Sequence, residues 1–312
     1  MRAAESVPSY TQARSVSIPL RATVAAKLAD YLELTKPRIA LLVLVTVTVG
    51  FILGSSGSWR LIPLLHALFG IALVAAGSSA LNQFLERATD ARMDRTAERP
   101  LPAGRLAPAE VLCFGLATGF FGSLYLALTL NLLTALLTVV TLLLYVAVYT
   151  PLKRVTPLCT AVGAIPGALP PVLGWAAACG TLDVGAGLLF AILYLWQFPH
   201  FLAIGWLYRN QYTHAGLRMS PAKQPTRCVT GFMCVAYTLA LLPASLLPSR
   251  FALAGESYFL TAVVLGLGYL ACAVRFLLSE SDRTARGLIW SSLVYLPLLL
   301  LSLTWDHFQL LR

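Results

Sequence analysis

Charge is what this sequence has least of. Asp, Glu, Lys and Arg make up 12% of its 312 residues, and only 13 are acidic, where soluble domains carry roughly 25% charged residues. With 58% hydrophobic residues and a mean hydropathy of +0.77, so little polar side chain cannot cover a water-exposed globule of 33.6 kDa. A soluble enzyme, a disordered scaffold and a disulfide-rich secreted module are excluded on that ground. Paired cysteines are also lacking. Cys113, Cys159, Cys179, Cys228, Cys234 and Cys272 form no CxxC pair and no metal-ligand spacing, so they are expected to be small buried apolar residues. The first 35 or so residues mix Ser, Thr and Arg without the continuous apolar core of a cleavable signal peptide. In so apolar a chain the formal charge of +10 marks membrane topology and not a nucleic-acid partner.

Long apolar runs are what the chain has in abundance. A helix needs about 20 apolar residues to cross the hydrocarbon core, and nine stretches approach or meet that length. They are Ile39–Gly54, Leu61–Leu81, Val111–Leu130, Leu132–Tyr149, Thr160–Gly180, Val184–Tyr208, Cys228–Leu247, Tyr258–Leu278 and Gly287–Trp305. They are too long for strands and do not alternate with period two, which excludes a β-barrel. The expected fold is an all-α integral membrane protein in the lipid bilayer, a nine-transmembrane-helix bundle. A mobile tail is expected over residues 1–24, followed by a single membrane domain over 25–312 that opens with an interfacial helix around Ala25–Leu34.

The basic residues then sort by loop. A cytoplasmic N-terminus puts Arg2, Arg14, Arg21, Lys27, Lys36 and Arg38 inside, with Arg87, Arg92, Arg95, Arg99 and Arg105 after the second span. Lys153 and Arg154 follow the fourth span, Arg209, Arg218, Lys223 and Arg227 the sixth, and Arg275, Arg283 and Arg286 lie at the end of the eighth and after it. That is 20 of the 23 basic residues; only Arg60, Arg250 and Arg312 fall outside. So lopsided a partition predicts the N-terminus cytoplasmic and the C-terminus on the far side.

The scarce acids carry more information. Asn82, Glu86, Asp90, Asp94 and Glu98 recur every four residues as the second span leaves the membrane. On a helix any three successive members share one face. Stacked carboxylates repel unless cations sit among them, and hard oxygen ligands suit Mg²⁺, which takes one or two carboxylates together with phosphate oxygens. The alternative is an ordinary solvated helix end neutralised by Arg87, Arg92, Arg95 and Arg99. Asn82 inside the span favours a functional site, as does the basic turn Arg95-Thr-Ala-Glu-Arg99-Pro100-Leu101, which could face an anion.

The run from Asn82 to Leu101, Asn-x-x-x-Glu-x-x-x-Asp-x-x-Met-x-Arg-Thr-x-x-Arg-Pro-Leu, resembles the first acidic motif of the UbiA-type intramembrane prenyltransferase superfamily. Three further segments resemble its heme-farnesylating branch: Leu34-Thr35-Lys36-Pro37-Arg38; Tyr149-Thr150-Pro151-Leu152-Lys153-Arg154-Val155-Thr156, continuing to Gly174-Trp175; and Trp196-Gln197-Phe198-Pro199-His200-Phe201. The four motifs are colinear from about Leu34 to Pro221, and the nine-helix count fits.

The resemblance implies that Asn82, Glu86 and Asp90 hold Mg²⁺, with Asp94 a second-rank catalytic candidate, and that Lys36, Arg38, Arg95, Arg99, Lys153 and Arg154 contact diphosphate. It implies farnesyl diphosphate as donor, heme B as acceptor and substrate, and His200 with Trp196 at the heme. It also implies a bacterial inner-membrane location with the site on the cytoplasmic side, and heme A synthase or a terminal oxidase assembly as downstream partner. Two departures stand out. Gln83 replaces an Asp common after the Asn, and Glu86 replaces Asp. In the loop after the sixth span, Tyr208-Arg209-Asn210-Gln211-Tyr212-Thr213-His214-Ala215-Gly216 carries Gln211 where the branch has an Asp. A neutral Gln can coordinate through its carbonyl oxygen but cannot offset Mg²⁺ charge. Two other readings compete with this one: a quinone- or chlorophyll-pathway prenyltransferase, which the Leu34–Arg38 and Trp196–Phe201 segments oppose, and a transporter, whose acids would be expected near the midplane.

Overall fold

The computed structural model describes residues 24–219 and 228–311. The expected tail with Arg2, Arg14 and Arg21, the stretch 220–227 with Pro221, Lys223 and Arg227, and Arg312 lie outside the described residues. The regular structure described is all helical. It comprises α1 (Val24–Thr35), α2 (Pro37–Gly54), α3 (Leu61–Asp90), α4 (Pro108–Thr129), α5 (Leu132–Leu152), α6 (Cys159–Ala168), α7 (Pro170–Cys179), α8 (Val184–Leu207), α9 (Arg209–His214), α10 (Val229–Arg250), α11 (Glu256–Leu278) and α12 (Asp282–Leu310). Among the described residues nine helices are long and apolar enough to cross a membrane, with α6 and α7 forming one interrupted span. The end of the bundle where α3 stops and α12 starts also carries the Lys153 and Arg209 connections.

Two spans run longer than their apolar stretches predict. α3 continues past Leu81 to Asp90, and α12 begins at Asp282 instead of Gly287. Backbone hydrogen bonding carries a helix beyond the hydrocarbon once its side chains reach polar surroundings. The fifth span breaks at Leu169, ahead of Pro170 and Pro171, which have no N–H to offer the preceding turn. It is also the most enclosed: 72% of its apolar window is buried, against 17% for α5. A broken helix belongs inside the protein, where neighbouring helices can satisfy its freed backbone groups.

Helix contacts depend on small residues, as expected where lipid supplies no hydrophobic drive. α3 packs most extensively on α4, and a Cβ at Gly77 would come 2.7 Å from the Gly115 carbonyl and 2.9 Å from the Gly119 nitrogen. That contact fixes the height at which α3 presents its last two turns. On the other side α8, α10, α11 and α12 pack on one another. Their interior holds a tyrosine network in which Ser245 bonds Tyr295 at 2.6 Å and Tyr258 donates to the Ser245 carbonyl at 2.7 Å. The outer surface is apolar, with Leu128, Phe120 and Trp290 exposed.

Residues expected to be structural have structural partners. His66 bonds the Tyr125 hydroxyl at 2.6 Å and His307 the Leu253 carbonyl at 2.9 Å. The cysteine expectation needs correction: Cys159 and Cys234 are buried, but Cys113, Cys179 and Cys228 are exposed. Cys113 lies on the outward face of α4, and the other two sit at helix ends, so apolar sequence context alone did not imply burial.

Candidate active site

The last two turns of α3 bring Asn82, Glu86 and Asp90 onto one buried face, 1%, 8% and 1% exposed. Asn82 Nδ2 donates to Glu86 Oε2 at 3.1 Å, the contact that i, i+4 spacing allows. Each carboxylate has a cation from a different element. Lys153, just beyond α5, lies 2.8 Å from Glu86 Oε1, and Arg99 lies 2.7 Å from Asp90 Oδ2. Lys36 approaches Asn82 Oδ1 at 3.4 Å, and Arg154 donates to Thr89 Oγ1 at 2.9 Å and the Leu85 carbonyl at 3.2 Å.

Lys36 reaches the cluster because its backbone is left-handed, with φ 52° between α1 and α2. A non-glycine residue held there costs roughly 1–3 kcal/mol and persists only where its surroundings impose it. Burial pulls its ammonium below the usual lysine range. Burial opposes the charge on Lys153 too, but the Tyr149 oxygen and the Glu86 carboxylate outweigh it and hold that ammonium above the usual range. Lys153 also sits over the Tyr149 ring, 4.4 Å from its centroid.

The helix does not carry the acidic series to its end. α3 stops at Asp90, where the Thr96 hydroxyl donates to the Asp90 carbonyl at 2.8 Å and the chain turns back. Asp94 and Glu98 are therefore exposed and off the shared face, while Arg99 is returned to Asp90. Arg38 is also exposed, and no described contact joins it to the cluster. Gln83 points elsewhere: its Nε2 donates to the Leu34 carbonyl at 2.8 Å and ties α3 to α1. One residue along a helix rotates about 100°, so a residue beside Asn82 cannot share its face.

The loop with the second-motif position docks against this loop. Tyr212, Ala215 and Leu217 pack with Met93, and the Arg95 guanidinium lies over the Tyr208 ring at 4.9 Å. The Arg218 nitrogen donates to the Lys153 carbonyl at 2.7 Å. Gln211 Oε1 is buried with no hydrogen-bond partner among the described residues.

His200 and Trp196 lie on α8 and face α12. His200 Nδ1 bonds Ser292 Oγ at 2.7 Å, Trp196 Nε1 donates to the Ser292 carbonyl at 2.9 Å, and the two rings stack 5.3 Å apart. No described contact joins this pair to the carboxylate cluster.

Sequence reasoning missed Thr150 as a site residue. α5 contains a π-helical turn, Leu144–Tyr149, ahead of Pro151, which cannot donate to the turn before it. Thr150 Oγ1 donates to the Tyr145 carbonyl at 2.8 Å and accepts from Asn82 Nδ2 at 2.9 Å. The signal available was a hydroxyl residue immediately before a proline at a span end. Ser292 was missed as well; nothing in its local sequence marks it.

Among the described residues no three His, Cys, Asp or Glu side chains stand together as a metal site. The cluster instead offers two carboxylates and an amide oxygen, the partial set suited to Mg²⁺ completed by phosphate oxygens.

The family model for the UbiA prenyltransferase family matches residues 43–307. The chain is 45% identical over 279 residues to a protoheme IX farnesyltransferase from Solibacter usitatus (strain Ellin6076), covering 86% of this chain and 96% of that protein. It is 43% identical over 301 residues to a protoheme IX farnesyltransferase from Koribacter versatilis (strain Ellin345), covering 91% and 96%. Among solved structures, one of digeranylgeranylglyceryl phosphate synthase superposes with TM-score 0.77 at 16% identity, covering 91% of this chain and 99% of that chain. A UbiA homologue from Archaeoglobus fulgidus bound to DMAPP and Mg²⁺ superposes with TM-score 0.57 at 17% identity, covering 88% and 99%. The chain belongs to the UbiA prenyltransferase family and is an intramembrane prenyltransferase.

Proposed function

We propose that this enzyme transfers the farnesyl group of farnesyl diphosphate to a vinyl group of heme B, giving heme O with its hydroxyethylfarnesyl side chain. The observation that carries the chemistry is the buried Asn82–Glu86–Asp90 face ringed by Lys36, Arg99, Lys153 and Arg154. The acceptor rests on the relatives named protoheme IX farnesyltransferase, which match this chain over most of its length.

Asn82, Glu86 and Asp90 would hold Mg²⁺, which supplies charge neutralisation for the departing diphosphate. Lys36 and Arg154, beside the α3 end, would bind phosphate oxygens, with Arg95 on the loop after α3 and the Gln211 carbonyl oxygen on the loop docked against it. Burial of Asn82, Glu86, Asp90 and Lys153 strengthens the interactions made there relative to water. The C1–O bond of farnesyl diphosphate breaks with both electrons leaving on oxygen. The π electrons of the vinyl group attack the allylic C1, water adds at the resulting carbocation, and one proton is released. His200 would bind heme, through the iron or by presenting its ring alongside Trp196. The basic partition supports a site on the cytoplasmic side, and the bacterial relatives support an inner membrane, from which heme O would pass to heme A synthase or a terminal oxidase.

The test is purified protein with MgCl₂, farnesyl diphosphate and heme B, followed by chromatography of the heme, with 4-hydroxybenzoate offered in parallel. Heme O should form and the benzoate should stay unprenylated, and Asp90→Asn should abolish turnover. Prenylation of 4-hydroxybenzoate without heme O would overturn the acceptor, and full turnover in Asp90→Asn would overturn the metal assignment.

A further inference from the structure

We infer that the groove between α11 and α12, at the end of the bundle where the carboxylate cluster lies, is a binding site for an anionic phospholipid. The groove is shallow and open on one side, with a volume of about 710 Å³. Along α11 it is lined by Leu267, Ala271, Val274 and Leu278, whose spacing of four, three and four residues lays one apolar stripe along the helix. That stripe is about 16 Å long at 1.5 Å per residue, enough for most of an acyl chain. Its polar end carries Arg275 and Arg283.

Those two arginines are set apart by the apolar groove they share, and not by lacking a carboxylate, which is also true of Arg95 and Arg154 among the described residues. Arg99, Lys153, Arg105 and Arg209 all pair with carboxylates. Arg275 and Arg283 line the same groove and have no ion pair among the described residues. The nearby acids are already engaged. Glu280 accepts the Cys228 and Gly231 nitrogens at 3.0 and 2.7 Å, and Asp282 pairs with Arg209 at 3.2 Å. The first turn of α12 begins beside the arginines, where Ser281 Oγ accepts the Thr284 N–H, and the positive end of its dipole has the same polarity. Two guanidiniums above an apolar stripe match a phosphate headgroup above an acyl chain, and basic pockets between transmembrane helices bind anionic headgroups in this way. A zwitterionic lipid would bring its own cation to a site that already has two. The chain's own stretches outside the described residues do not suit the groove: 220–227 contains Lys223 and Arg227 and no acid, and 1–23 contains three arginines against Glu5.

The test is native mass spectrometry of the full chain released from detergent micelles doped with phosphatidylglycerol or phosphatidylcholine. Phosphatidylglycerol should be retained in preference. Arg275→Gln with Arg283→Gln should weaken its retention about 25-fold, roughly fivefold per arginine, while Arg275→Lys with Arg283→Lys keeps most of it. Inorganic phosphate at millimolar concentration should not displace the lipid, because it lacks the chain that fills the stripe. Thermal melting and heme O formation should be unchanged in the Gln pair, since neither residue touches the carboxylate cluster. Equal retention of both lipids, unchanged retention in the Gln pair, or displacement by phosphate alone would each overturn the assignment.

Discussion

Replacing Thr150 with Val tests whether Asn82 is aimed by its neighbour. Val matches Thr in volume, and Thr150 is 3% exposed, so the substitution removes one hydroxyl and little packing. Two hydrogen bonds are lost, from Asn82 Nδ2 at 2.9 Å and to the Tyr145 carbonyl at 2.8 Å. Neither partner is fully orphaned, because Asn82 Nδ2 keeps Glu86 and the Tyr145 carbonyl keeps the Thr150 backbone N–H. The stability cost should therefore be the net value of two buried bonds, about 2 kcal/mol, and not the larger cost of stranding a polar group. The functional cost should be greater. With Thr150 present, the Asn82 amide can point only its oxygen toward Lys36. Without it, the amide can rotate and present nitrogen to a cation. Loss of such a supporting hydrogen bond typically costs 10–100-fold in metal affinity. Mn²⁺ titration followed by electron paramagnetic resonance, with an unreactive farnesyl thiodiphosphate bound, reads that affinity directly. Thr150→Val should lose about tenfold or more, and Thr150→Ser should keep it. If Val binds Mn²⁺ within twofold of the parent, or if Ser fails as badly as Val, Thr150 does not orient Asn82.

Lys153→Met leaves the Glu86 carboxylate buried without its cation and should destabilise the protein by about 3–5 kcal/mol, measured as a lowered melting temperature in detergent. Adding Glu86→Gln should recover most of that loss without recovering turnover; a single variant that melts like the parent would refute the pairing. Gln211→Asp should lower the KM for farnesyl diphosphate with Mg²⁺ by about tenfold, the gain expected from a charge-assisted contact; an unchanged KM would place position 211 out of reach of the metal. His200→Ala should raise the KM for heme B and shift the bound heme's Soret band while leaving the KM for farnesyl diphosphate alone, and Ser292→Ala should produce a smaller change in the same direction. Equal effects on both substrates would remove His200 from the heme site.

The spans were legible because bilayer thickness sets their length and composition, and no tertiary contact can override that requirement. The Asn82–Glu86–Asp90 face was legible for a similar reason: four-residue spacing on a continuous helix fixes which side chains align. Legibility stopped where the helix stopped. Nothing local announces that α3 ends at Asp90, since the end depends on Thr96 reaching back to the Asp90 carbonyl. From that one bond follow both the outward turn of Asp94 and the return of Arg99. The direction of Gln83 could have been read from helix geometry alone. Lys36, Thr150 and Ser292 could not, because each acts through a residue distant in sequence.

Taken together, the cluster is neutralised before any substrate arrives. Glu86 and Asp90 each hold a protein cation, and Lys36 and Arg154 stand beside the same helix end without a carboxylate. Four basic side chains against two carboxylates leave the site with surplus positive charge. A diphosphate paired with one Mg²⁺ is still an anion, so the surplus attracts it, whereas free Mg²⁺ would have to compete with Lys153 and Arg99. On the proposed reading, joint binding of metal and diphosphate would be favoured, and Lys153 and Arg99 would then be free to turn from carboxylate to phosphate. Lys153 and Arg99 would then have two tasks, pairing with Glu86 and Asp90 in the fold and stabilising charge on the leaving diphosphate.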